Sequence, residues 1–157
     1  MIPQFILNEN SMKTTNDSDK EKNKEILLKF RKEILKWINE LEFLQYERTF
    51  IEHLLGSHFL AISTPKLYQP TKELIKELKK VEYRGDELFV TVRIHKKRIA
   101  SLIESSGPID KLEIEHNRIK IEFRNYVINF KEVKKNIFDM IKKIMKKDKQ
   151  KFIIKNQ

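Results

Sequence analysis

Few side chains in this 157-residue sequence are equipped for chemistry: four histidines, His53, His58, His95 and His116, and no cysteine. Without cysteine there is no thiolate nucleophile, thiolate metal site or disulfide, which fits a reducing compartment and gives a cytoplasmic expectation. The glycines, Gly56, Gly85 and Gly107, stand in unrelated settings, so no phosphate-cradling loop can be built. Ser57 and His58 are adjacent in sequence rather than placed for proton transfer, and no serine sits in a recognisable nucleophile elbow. Glu113-x-x-His116 has the spacing of a carboxylate-bridged di-iron bundle, but that chemistry needs two such motifs and two further glutamates. His53 is preceded by Phe50 and His95 by Val92 where the second motif would need a carboxylate. The sequence therefore carries no catalytic signature and implies no cofactor and no small-molecule substrate. His95, His116 and Glu113 are its only metal-ligand candidates, and a proton-sensitive imidazole layer is the alternative use for the pair.

The elements that must position these residues follow from apolar spacing. Leu27, Phe30, Ile34, Trp37, Leu41, Leu44, Arg48, Ile51, Leu55 and His58 alternate in steps of three and four. The same alternation runs from Leu67 through Leu74, Leu78, Val81, Leu88, Val92, His95, Ile99 and Leu102, and from Ile109 through His116, Phe123 and Phe130 to Ile144. Such spacing keeps one stripe of a helix facing its neighbours. It predicts an all-α protein, an antiparallel three-helix bundle or coiled coil with helices of about 60 Å at 1.5 Å per residue. The expected helices span about 18–60, 66–105 and 108–149, between a disordered segment over 1–17 and a frayed basic tail over 150–157. Ser18-Asp19-Lys20-Glu21 has the form of a capping box for the first helix, and Met12, opening a polar stretch, is a candidate natural start. Pro65 and Pro70 bracket the start of the second helix. Ser105-Ser106-Gly107-Pro108 ends it, with Gly107 suited to the cap and Pro108 to the next first turn. So short a turn forces an antiparallel hairpin that brings His95 and His116 to one layer. Gly85 on the seam invites close approach by a neighbour. Arg48, also on the seam, calls for Glu82 or Glu132 across the bundle. The rival reading is α+β, with strands over 87–94 and 112–130, where Ile, Val, Phe and Tyr alternate.

Two surfaces suggest partners. Ile114, Ile121 and Ile128 are seven apart and off the seam, and Ile75, Phe89 and Ile103 form a comparable second stripe. Both are candidate faces for a homodimer or a protein partner, or they are covered by a core wider than its seam. Residues 131–157 hold ten Lys against Glu132, Asp139 and Asp148, which is +7 of the formal +10. Lys142, Lys143, Lys146, Lys147, Lys149 and Lys151 are thus candidates for binding RNA, DNA or an anionic membrane surface, or they simply complement the end of a helix dipole.

The run Trp37-Ile38-Asn39-Glu40-Leu41-Glu42-Phe43, then Glu47, His95, Glu115-His116 and Phe138-x-x-Ile141-Lys142-Lys143-Ile144-Met145-Lys146, resembles a group of small bacterial all-helical, coiled-coil-like proteins. The likeness covers about residues 25–152. It implies the helical reading over the strand alternative, and brings no activity, ligand or catalytic residue with it.

Overall fold

The computed structural model describes residues 2–156, with side chains described from Asp17 to Asn156. Four helices follow in order: α1 (Ile2–Ser57), the single turn α2 (Phe59–Ile62), α3 (Pro65–Ser105) and α4 (Asp110–Lys155). Among the described residues there is no strand, so the α+β alternative over 87–94 and 112–130 is overturned. The alternation there arises because a wide helical core takes residues at three-four spacing while isolated Ile and Val remain outside.

Three long helices make the bundle. Gly85 lies against Tyr126, His95 against His116 and Thr71 against Met140, so numbers fall on α3 as they rise on α4 and the pair is antiparallel. Glu33 meets His116 and Glu47 meets Lys134, so α1 runs parallel to α4. The seam residues form the core, with Ile34, Ile51, Val92, Ile119 and Ile137 wholly buried. Each such side chain contributes about 2 kcal/mol of transfer free energy. Near its end the α4 seam rotates: Ile141 is buried while Met140 is only half so.

Several boundaries differ from expectation. Ser18 lies inside α1 rather than capping it, because the helix needs no cap where it continues upstream. The expectations for residues 1–16, Met12 included, lie outside the described side chains. α4 continues to Lys155 instead of fraying after 149. α3 opens at Pro65, whose missing N–H falls among the unpaired donors of a first turn. Pro70 then sits inside the helix, on its exposed side. At the α3–α4 turn the left-handed residue is Ser106, φ 55°, with its N–H donating to Leu102 O at 3.0 Å. Gly107, expected to supply that conformation, does not have a positive φ. α4 begins at Asp110, two residues beyond Pro108, with Asp110 and Glu113 placing negative charge in its first turn.

Gly85 has one clear reason to be glycine. A Cβ there would stand 2.5 Å from the Tyr126 hydroxyl oxygen and 2.8 Å from its ring carbon Cζ. The buried phenol uses the room that the absent side chain leaves, as the seam position suggested.

Candidate functional site

His95 on α3 and His116 on α4 do reach one layer, and each is only 1% exposed. His95 Nε2 lies 2.9 Å from His116 Nδ1, and His116 Nε2 lies 3.0 Å from Glu33 Oε2 on α1. Lys120 Nζ stands 3.6 Å from the same carboxylate oxygen. Phe30 stacks on the His116 ring at 3.8 Å between centroids, and Trp37 at 4.8 Å. Trp37 in turn stacks on Phe123 at 5.7 Å. One imidazole is thus clamped between two aromatic rings of α1 and bonded at both nitrogens.

Charge states follow from this geometry. Burial pushes Glu33 up, but the hydrogen bond from His116 and the charge of Lys120 outweigh it and hold the carboxyl below its usual range. An ionised carboxylate only accepts, so His116 carries its proton on Nε2. Its Nδ1 must then accept from His95 Nε2–H. That leaves His95 Nδ1 as a buried acceptor with no donor. Burial, and then the neighbouring His116, push His95 down to about 4, and burial lowers His116 against the pull of Glu33. Both rings are neutral at neutral pH.

Three helices are therefore joined by a directional chain, His95 to His116 to Glu33. With both rings out of solvent, the chain fixes register and tautomer. Of the three metal candidates, His95 and His116 come together. Among the described residues no three His, Asp or Glu side chains gather as a metal-ligand group. The carboxylate that meets the imidazole is Glu33, not Glu113.

A second polar layer lies farther along. Arg48 Nη1 donates to Asp86 Oδ1 at 3.0 Å, and its Nε stands 3.5 Å from Glu82 Oε1 and 3.8 Å from Glu52 Oε1. Of the two expected partners Glu82 is the one in place, while Glu132 is exposed. Burial and the Glu52 carboxyl beside it push Glu82 up to about 7, with Arg48 opposing. Burial also pushes Tyr126, on the same level, up to about 12.

The surface divides the remaining expectations. Ile114, Ile121 and Ile128 point outward on α4. They stand among Asn117, Arg118, Arg124 and Asn125, all exposed. The second stripe is corrected: Phe89 is buried, with the Arg93 guanidinium over its ring at 4.1 Å, and Ile75 and Ile103 are half-buried. These three line a core wider than its seam. Lys142, Lys143, Lys146, Lys147, Lys149 and Lys151 are all exposed, and beyond them Phe152, Ile153 and Ile154 are exposed too. No helix is long and apolar enough to cross a membrane among the described residues.

Another exposed apolar face lies where the seam directs no attention, on the back of α1. Leu28, Leu35, Phe43, Tyr46 and Phe50 are all exposed, Tyr46 by 78% and Phe43 and Phe50 by 58% each. At 3.6 residues per turn they fall within an arc of about 80° on the side away from the core, and at its α4 edge the Phe50 ring meets Phe138 edge-on at 6.4 Å between centroids. The recurrence at 28, 35, 43, 46 and 50 was there to be read, in less even steps than the sevens of the α4 isoleucines. Comparison of the chain with protein-family models, curated proteins and solved structures gave no match.

Proposed function

We propose that this protein is a non-enzymatic interaction module, a rigid helical scaffold that binds a protein partner through the outward face of α1. The observation that carries the reading is the run of five exposed large apolar side chains, Leu28 to Phe50, on one helix face. Single exposed hydrophobics are ordinary on any surface, but an apolar stripe aligned on one helix face and interspersed with charge has the form of a helix-packing interface. The polar layers support the same reading. Their groups are used to lock three helices in register, which gives a stiff platform instead of a reaction centre. Comparing the full chain with the variant Phe43→Ser/Phe50→Ser in size-exclusion chromatography and in retention of cell-extract proteins tests it. Loss of self-association or of a retained partner in the variant alone is the expected result. Identical behaviour of both proteins contradicts it.

The exposed lysines of α4 favour a second reading, attachment to an anionic polymer or bilayer surface. The neighbouring Phe152, Ile153 and Ile154 would add apolar burial at a bilayer. Binding to anionic vesicles or to RNA that weakens steeply with added salt supports it. Absence of binding at low salt removes it.

A further inference from the structure

The back of α1 is close to a palindrome in shape, and its two halves are opposite in charge. Asn39, exposed, stands at its centre. Leu35 and Phe43 lie four residues to either side of it, and Leu28 and Phe50 eleven. From Leu28 to Ile38 the exposed charges are Lys29, Arg31, Lys32 and Lys36. From Glu40 to Phe50 it carries Glu40 and Glu42, while Glu33, Glu47 and Arg48 are turned to α3 and α4 and bonded there. Resting on the reading of α1 as an interaction face, we propose that its occupant is a second copy of the same chain, packed antiparallel about a two-fold axis through Asn39.

A two-fold axis perpendicular to the helix sets residue 39 − n of one copy opposite 39 + n of the other. Leu28 then meets the partner copy's Phe50, and Leu35 its Phe43, over a length of about 33 Å at 1.5 Å per residue. Lys36 falls opposite Glu42, an opposite-charge pair. Lys32 falls opposite the Tyr46 ring, where a cation over an aromatic face is favourable. Asn39 meets Asn39, and a paired polar residue at the centre fixes register. Parallel pairing would set the basic half on the basic half and the acidic on the acidic, so charge selects the antiparallel arrangement. The isoleucines of α4 offer no such match, because Arg118 and Arg124 flank them on either side and would meet their own kind.

The sequence has no cysteine, so Asn39→Cys gives a single-site probe in the full chain. With a short bismaleimide crosslinker the expected result is a covalent dimer of Asn39→Cys, while Ile121→Cys, exposed on α4, remains a monomer under the same conditions. Light scattering should give twice the 19.0 kDa chain mass for the unmodified protein. Lys36→Glu should shift the monomer–dimer equilibrium at least tenfold toward monomer, and Lys36→Glu/Glu42→Lys should restore it, with helical circular dichroism constant throughout. A 19.0 kDa mass together with equal crosslinking at 39 and 121 overturns the dimer. If the α1 variant Phe43→Ser/Phe50→Ser still loses a retained partner in that case, the interaction reading stands with a different occupant. If it loses nothing, both fail.

Discussion

His95 Nε2 donates to His116 Nδ1 across 2.9 Å, and the direction of that bond is imposed from outside the pair. Glu33, an ionised acceptor on a third helix, takes the His116 Nε2 proton and leaves only Nδ1 to receive. Three helices are thereby committed to one register by two hydrogen bonds, and neither ring has a low-cost way to take up a second proton.

Acid should destabilise the fold through this pair. With His95 near 4 when folded and about 6.5 when unfolded, the unfolded chain binds the extra proton first as pH falls. Stability that is fully present above pH 6.5 is lost as pH drops toward 4, and the loss levels off below that. At 1.36 kcal/mol per pKa unit His95 accounts for about 3 kcal/mol, and His116 adds in the same direction. Urea midpoints from pH 4 to 8 should show His95→Leu less stable than wild type at pH 7, with the deficit shrinking by pH 4.5. A deficit that is constant with pH would contradict the buried neutral imidazole.

Removing the acceptor tests the chain from its other end. Glu33→Ala leaves the His116 Nε2–H buried without a partner, which costs about 1–3 kcal/mol. The control Glu122→Ala, on the exposed face of α4, should cost a few tenths at most. Equal effects in denaturant titrations would mean that Glu33 does not hold His116.

Arg48 should matter more at high pH than at low. Glu82 is pushed up to about 7, so its own contribution is full below pH 4.5 and fades as pH rises through 7. Without Arg48 the ionised carboxylate above pH 7 lacks its cation. Arg48→Met should therefore cost about 1–2 kcal/mol at pH 8.5 and less at pH 5. A larger cost at pH 5 would reverse the assignment.

Gly85→Ala should destabilise, although alanine is favoured over glycine inside a helix by about 1 kcal/mol. The new Cβ would overlap Tyr126, and overpacking a core costs about 1–3 kcal/mol. In a double-mutant cycle with Tyr126→Phe, which removes the closest atom, the penalty should shrink. Strict additivity would argue against the contact.

What the sequence made legible is what periodicity encodes. The seam from Ile109 to Ile137 named core residues one by one, the short α3–α4 turn placed His95 beside His116, and Gly85 and Glu82 were identifiable from their levels in the bundle. What stayed hidden depends on how α1 is set against the hairpin. That register passes through the turn α2 and its flanks, where no spacing rule applies, so Glu33 was not recognisable as the carboxylate for His116 and the nearer Glu113 took its place. Phe89 looked outward because a two-position seam underestimates how far a three-helix core spreads around each helix. Ser106 took the left-handed position despite Gly107, since the cap is set by where the Leu102 carbonyl finds its donor. The α1 stripe was visible as spacing, but on a helix whose other face already explained its apolar residues.

Light scattering on the full chain and on Leu35→Glu/Phe43→Glu, at matched concentration and constant helicity, tests the role of α1 most directly. An assembly that falls to the 19.0 kDa chain mass on substitution is the predicted result. The same mass for both proteins would contradict an interaction surface on α1 that pairs the chain with itself.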